Sequence, residues 1–281
     1  MTALRVAVRD GTALAVERRG DTGGRRVVLL HAGVADSCSW AAVLDALEPD
    51  GLDLVAIDRR GFGESPDAAP GAAFTHLDDL VDVLDGLEVG PAVLVGSSTG
   101  GGLALDLALT EPDRVHGLLL IGSAVSGMTD EGESIAWTPD AATGRLLEAM
   151  EAAEASGDLD GQVRLELHAW LDGPTQREGR VGGAARELAA AMSRRALQGG
   201  GSTGASGIDA WHRLAEVDVP GIAAWGDLDM PPDQPFYELA AARLPRIQAR
   251  VLPGVAHLPS LEDPALVAAL VREVVALADA R

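Results

Sequence analysis

The pentapeptide Gly96-Ser97-Ser98-Thr99-Gly100 is the segment of this chain best suited to covalent chemistry. It fits a G-x-S-x-G frame centred on Ser98. Ser97 cannot take that place, because its flanking positions would be Val95 and Thr99. A serine at a sharp strand-to-helix turn needs tiny neighbours, since strand and helix pass very close. Gly96 and Gly100 are those neighbours. Gly101 and Gly102 extend the small surface into the first helical turn, although glycine costs helix propensity there. Free amides and the helix dipole favour negative charge at such a helix start, which makes the Thr99 amide one candidate oxyanion donor.

A hydroxyl nucleophile needs a base, and the base needs an acid to orient it. Of the six histidines, His257 lies in 252-LPGVAHLPSLEDP-264, between the last strand-like and the last helix-like segment. That loop falls at the strand ends, on the same edge as Ser98. His31, His76, His116, His168 and His212 read as loop, cap, helix-surface or core positions. An acid between serine and histidine in chain order has two candidates, Asp227 and Asp229, in the loop Gly226-Asp227-Leu228-Asp229-Met230-Pro231.

The elements that must hold these residues follow an α/β rhythm. LRVAV and ALAVER alternate as strands around the turn signal Asp10-Gly11. RRVVLL (25–30) is a continuous apolar run, the pattern of a strand covered on both faces, LDLVAID (52–58) reads as the next buried strand, and PAVLVG and VHGLLLIG read as further strands. Between them SWAAVLDAL, HLDDLVDVLDGL (76–87) and LALDLAL carry helical spacing. The rhythm resumes with GIAAWG, FYELAAARL, ARVLP and a closing helix capped by Asp263 with Pro264 at its first position. Right-handed crossovers between such strands give a mostly parallel, doubly wound sheet.

Between about 125 and 210 the rhythm stops. RLLEAMEAAEA, LELHAWL and AARELAAAMSRRAL read as amphipathic helices, and GGGSTGASG (199–207) as a flexible linker. The expected organisation is a core of residues 1–124 and 209–281 with a helical insertion at 125–208. The insertion leaves the sheet at a strand's C-terminal end, where sites in open α/β sheets lie, so a lid is expected.

Four segments in this order resemble the α/β-hydrolase superfamily: 29-LLHAGVADSCSW-40, 57-IDRRGFGES-65, 95-VGSSTGG-101, and the pair 225-WGDLDMP-231 with 254-GVAHLPSLEDP-264. The resemblance spans nearly the whole chain and implies an eight-stranded α/β-hydrolase sheet with a helical lid. Its G-x-x-D pattern after the seventh strand selects Asp229 as the acid, leaving Asp227 as a loop residue. Its histidine motif selects His257. His31-Ala32-Gly33-Val34 occupies the oxyanion turn, with Ala in place of the usual first glycine. The second oxyanion amide is carried over to Gly33, with Val34 as the fallback. His31 is implied to hold the turn, and the Asp and Arg of the Asp-x-Arg-Gly pattern, Asp58 and Arg60, to brace a loop.

The implied chemistry is a Ser98–His257–Asp229 triad acting on a carboxylic ester or lactone through an acyl-enzyme, with no metal or organic cofactor. Serine at the nucleophile position argues against the aspartate-nucleophile dehalogenases and epoxide hydrolases. Enol-lactone hydrolases, carbon–carbon bond hydrolases, cofactor-free perhydrolases and acyltransferases share the scaffold, and a non-catalytic small-molecule binder is a further alternative. A carboxylate-bearing enol-lactone would want a lid arginine, for which Arg145, Arg164, Arg177, Arg180, Arg194 and Arg195 are available. Val34, Trp40, Met128, Trp137, Trp170 and Met230 are candidates to line an apolar substrate pocket.

The 281 residues carry a formal charge of −21 and no lysine. Such an acidic surface repels nucleic acid and anionic membranes, so a small molecule is the expected partner. No apolar run approaches the roughly 20 residues of a membrane span. The single cysteine, Cys38, permits no intrachain disulfide and reads as a buried small hydrophobe. A cytoplasmic monomer or homodimer is the resulting expectation.

Overall fold

A computed structural model describes residues 2–199 and 204–280. Residues 200–203 of the Gly/Ser-rich segment expected to be a linker lie outside the described residues. In chain order the core begins with β1 (Thr2–Ala7), β2 (Ala13–Gly20), β3 (Arg26–Leu30), α1 (Ala41–Leu47), β4 (Asp53–Ile57), α2 (His76–Gly86), β5 (Ala92–Ser97), α3 (Thr99–Thr110) and β6 (Val115–Ile121). Helices α4 (Ala141–Ser156), α5 (Leu159–Glu166) and α6 (Gly183–Gln198) follow. The chain then returns through β7 (Gly221–Gly226), α7 (Gln234–Arg243), β8 (Ile247–Leu252), α8 (Pro259–Glu262) and α9 (Pro264–Asp279).

The eight strands form one sheet in the order β1-β2-β4-β3-β5-β6-β7-β8. β1 and β2 are antiparallel, as are β2 and β4, and every pair from β4 to β8 is parallel. The hairpin turns at Gly11, whose φ of 84° is open to glycine at little cost. From β3 the chain first moves to β4 on one side, then crosses to β5 on the other. This reversal leaves a crevice at the carboxyl ends of β3 and β5, where open α/β sheets bind ligands.

Two apolar layers fix the sheet. Helices α1 and α9 cover one face through Val43, Leu44, Leu47, Val267 and Val271, and α2, α3 and α7 cover the other through Leu80, Leu105, Leu107 and Phe236. Central strand residues Val27 to Leu30 and Val93 to Val95 have no exposed surface, so the continuous apolar runs are buried on both faces.

The helical excursion between β6 and β7 is well capped. Asp140 accepts the Ala142 and Thr143 amides at the start of α4, and Gly157 ends that helix with φ 69°. Helix α5 runs directly into a π-helical turn, Leu167–Asp172. Val163, Leu167, Leu171, Ala189 and Met192 then pack on Ala32, Ala35 and Leu258 of the core loops. Among the described residues, no helix is long and apolar enough to cross a membrane.

The turn after β4 is braced by two side chains. Asp58 accepts the Ser37 amide at 2.7 Å and the Glu64 amide at 2.9 Å. Arg60, 1% exposed, donates from Nε and Nη2 to Asp79, both at 2.8 Å, and from Nη1 to Asp10 at 2.7 Å. Its guanidinium also stacks on Phe74, 4.6 Å from the ring centre. Arg60→Leu would strand the buried Asp79 carboxylate. Chemical denaturation should show a loss of about 3–5 kcal/mol, the usual cost of halving a buried ion pair.

Candidate active site

Ser98 is the point where β5 turns into α3, and its backbone sits at φ 52°, ψ −120°. Such a conformation costs a non-glycine residue about 1–3 kcal/mol and persists only where the surroundings over-determine it. They do so here. The Ser98 amide donates to Ile121 O at 2.8 Å, and its carbonyl accepts the amides of Gly101 at 2.9 Å and Ala124 at 3.2 Å. A Cβ on Gly96 would lie 2.5 Å from Gly100 O, and one on Gly100 would lie 2.3 Å from Leu30 O. Both distances are far below contact, so the elbow can form only with hydrogen at those positions.

The turn after β3 faces this elbow. Gly33 and Thr99 line the same cavity, and a Cβ on Gly33 would stand 3.5 Å from Thr99 Oγ1. Among the described residues neither amide donates to a protein acceptor. His31, fully buried, sets the turn. Its Nε2 accepts the Arg59 amide at 3.1 Å, so Nδ1 carries the proton and donates to Ala32 O at 2.7 Å. Burial, and then the Arg59 charge, hold its pKa well below the ordinary value, so it stays neutral.

Asp229 and His257 arrive from the ends of β7 and β8. His257 Nδ1 lies 2.9 Å from Asp229 Oδ2 and 3.1 Å from Oδ1, with Asp229 1% and His257 5% exposed. The Met230 amide donates to Asp229 Oδ1 at 2.7 Å. Gly122, at the end of β6 with φ 49°, closes over the pair; a Cβ there would be 3.0 Å from Asp229 Oδ2. Burial pushes the imidazole pKa down. The Asp229 charge and hydrogen bond, with Asp233 and Glu262 behind them, outweigh burial, and the net shift is upward. Asp227 is exposed and accepts the Gly254 amide at 2.7 Å, so it ties the two loops together without reaching the imidazole.

The helical excursion reaches this site directly. Trp170, on the π-helical turn, accepts the His257 amide at 3.1 Å, and its ring lies 4.8 Å from the imidazole at 48°. Arg180 donates to Leu171 O at 2.8 Å, Asp172 O at 2.6 Å and Gly254 O at 3.2 Å, and pairs with Glu262. Glu262 in turn accepts the Ala256 amide at 2.8 Å.

Ser98 and His257 line one cavity of about 240 Å³, together with Gly33, Val34, Thr99, Gly122, Ala124, Met128, Trp170, Asp233 and Tyr237. Three pocket expectations fall elsewhere. Trp40 has no exposed surface and belongs to the apolar layer between the sheet and α1, because the 3-10 turn Ser37–Trp40 directs it there. Met230, 1% exposed, packs on Leu146, Leu165 and Ala169. Trp137 is 42% exposed and meets the cavity wall through its indole N–H, which donates to Asp233 Oδ1 at 2.6 Å. Cys38, expected to be buried, is exposed, and partial burial followed by the Asp36 charge pushes its thiol up to about 12.

Sequence reasoning missed Asp233 and Tyr237, which lie at the start of α7. The available signal was a second acid four positions beyond Asp229 and the chain's single tyrosine. Burial raises the pKa of Asp233, and burial with the Asp229 and Asp233 charges raises that of Tyr237 well above the ordinary value. A second cavity, of about 700 Å³, shares Gly33, Thr99 and Ala124 with the first and is lined by Arg59 and Asp106. None of Arg145, Arg164, Arg177, Arg180, Arg194 and Arg195 lines either cavity. Arg164, Arg180, Arg194 and Arg195 are paired with Glu178, Glu262, Asp160 and Asp67, and Arg145 and Arg177 are exposed. Among the described residues no group of three or more His, Cys, Asp or Glu side chains is arranged to hold a metal ion.

Comparison with known proteins agrees with this architecture. A family model described as the alpha/beta hydrolase fold matches residues 25–264. A curated protein of Bacillus subtilis, putative 2-succinyl-6-hydroxy-2,4-cyclohexadiene-1-carboxylate synthase, is 28% identical over 97% of this chain and 98% of its own length. The solved structure of esterase RhEst1 from Rhodococcus sp. ECU1013 superimposes with TM-score 0.74 at 26% identity, covering 97% of this chain and 98% of that one. Est816, described as an N-acyl homoserine lactone degrading enzyme, gives TM-score 0.71 at 25% identity over 96% and 99%.

The electrostatics of His257 can be read without any substrate. Its ring-proton NMR titration should have a midpoint above the ordinary 6.5, and Asp229→Asn should lower that midpoint, because burial is then opposed only by the smaller effects of Asp233 and Glu262. A midpoint unmoved by the substitution would contradict the assigned balance.

Proposed function

This chain belongs to the α/β-hydrolase fold family, and we propose that it hydrolyses carboxylic ester or lactone bonds of small molecules through Ser98, His257 and Asp229. The observation that carries the reading is the single cavity lined by Ser98 and His257, with the imidazole fixed on Asp229 at 2.9 Å and Gly33 and Thr99 alongside. In it, neutral His257 takes the proton of Ser98 Oγ through Nε2 as the oxygen attacks the acyl carbon. Asp229 keeps the proton on Nδ1 and stabilises the imidazolium that forms. The amides of Gly33 and Thr99 receive the oxyanion, each such donor being worth about 2.7–4 kcal/mol in the transition state. The imidazolium then protonates the leaving alcohol, and water, activated by the same base, releases the acid and restores Ser98.

The resemblance of the fold to solved esterases and to a lactone-degrading enzyme supports this class of bond. The excursion between β6 and β7 acts as the lid in this reading: Trp170 brings an apolar ring to the imidazole, and Met128 adds a second apolar wall. A wall of this kind excludes bulk water and strengthens the electrostatics inside.

Ser98→Ala should fold normally and lose about 10⁶-fold in kcat on p-nitrophenyl butyrate, the usual cost of removing a serine nucleophile. Undiminished turnover would refute the assignment. The pH profile follows from the sign of the His257 shift. The base works only when neutral, so kcat/KM should rise with pH and reach half its plateau above 6.5. Asp229→Asn should lower kcat by about 10⁴-fold, because the imidazole is then held in the wrong tautomer.

A further inference from the structure

We propose that Arg59 is the recognition residue for a carboxylate on a non-reacting arm of the substrate, an inference that rests on the ester or lactone reading above. Arg59 and Arg60 follow β4 side by side yet have opposite surroundings. Arg60 is saturated by Asp79, Asp10 and Thr12. Arg59, 6% exposed, has no carboxylate partner among the described residues. Its Nη2 donates to His31 O at 3.2 Å and Thr99 Oγ1 at 3.0 Å, and its face lies 4.6 Å from the Phe62 ring centre. Nε is buried with no hydrogen-bond partner, and Nη1 has none among the described residues.

A buried cation with donors to spare is costly unless a counter-charge arrives. Burial alone accounts for its pKa, lowered to about 10, so the guanidinium is still charged at neutral pH. It lines the cavity of about 700 Å³, whose wall shares Gly33, Thr99 and Ala124 with the Ser98 cavity. A substrate with its carbonyl at Ser98 can therefore extend an arm past the oxyanion turn to the guanidinium.

The carboxyl groups nearby sharpen the assignment. Asp106 lines the same cavity, but its Oδ2 is held by Ser126 at 2.9 Å and Ser206 at 2.5 Å, and its Oδ1 is buried without a partner. Burial raises its pKa against those two hydroxyls, and neither Asp106 nor Arg59 shifts the other. The Arg59 end is thus left open to an anion, while Asp106 offers an oxygen to a hydroxyl or N–H. Asp233 in the smaller cavity opposes a negative charge there. The charge pattern places the neutral ester beside Asp233 and the anionic arm beside Arg59.

The test compares matched pairs of esters on wild type, Arg59→Met and Arg59→Lys. One pair is p-nitrophenyl pentanoate and mono-p-nitrophenyl glutarate; the other is phenyl butyrate and 4-carboxyphenyl butyrate. In at least one pair Arg59→Met should lower the ratio of anionic to neutral kcat/KM by about 10- to 100-fold, the value of a charge-assisted hydrogen bond, and Arg59→Lys should keep most of it. A residue that merely holds the His31–Thr99 turn would slow both members equally, and unchanged ratios in both pairs would overturn the proposal. Should Arg59→Met fail to fold, wild type decides. Glutarate should compete with the neutral ester at about tenfold lower concentration than its uncharged analogue glutaramide, and equal inhibition would overturn the proposal. If no neutral ester is turned over, the ester reading fails alone, and glutarate binding by calorimetry still tests Arg59.

Discussion

The constraint on which the rest depends is the near-contact between the start of α3 and the ends of β5 and β3. Without Cβ atoms on Gly96 and Gly100 the helix can begin against Gly96 and Leu30 O, and Ser98 is forced into its left-handed conformation between them. The same contact brings Thr99 beside Gly33, so Ser98 and the turn after β3 are positioned by one packing event. The backbone bonds from Ser98 to Ile121, Gly101 and Ala124 distribute the strain over β6 and α3. The glycine cost in the first turn of α3 is thereby offset by close packing rather than by local propensity.

Electrostatics then separates roles among like residues. Two histidines at strand ends, His31 and His257, differ because one is buried against Arg59 and the other against Asp229; the first is held neutral and the second is made more basic. Asp227 and Asp229 sit two positions apart, yet one is exposed and ties loops while the other is enclosed with the imidazole. Residue type is shared in each case, and the partner decides the chemistry.

Much of this was legible in the sequence, for identifiable reasons. Each of the eight strands carries either an alternating pattern or a continuous apolar run, and each precedes a Gly, Pro or Asp signal that marks where it ends. The G-x-S-x-G frame singled out Ser98 and the loop after the last strand singled out His257, whereas strand position left Asp227 and Asp229 equal and only the α/β-hydrolase resemblance preferred Asp229. The pocket walls were less legible. Trp40 looked close to the oxyanion turn in sequence, but a 3-10 turn carries it into the apolar layer between the sheet and α1. Asp233 and Tyr237 reach the cavity from the start of α7, and the sequence signals only their types and spacing, not that they face it. Arg59 is hidden beside Arg60, because sequence shows two identical residues and only the fold sends them to different environments.

The π-helical turn has a mechanical consequence. Through Trp170 O, Arg180 and Glu262, the segment Leu167–Asp172 is stitched to the loop that bears His257. Lifting this turn would take the imidazole's backbone tether with it. Access to Ser98 and the position of the His257 imidazole therefore share one degree of freedom at this end of the excursion, and an entrance that leaves the imidazole in place has to open along a different part of the rim.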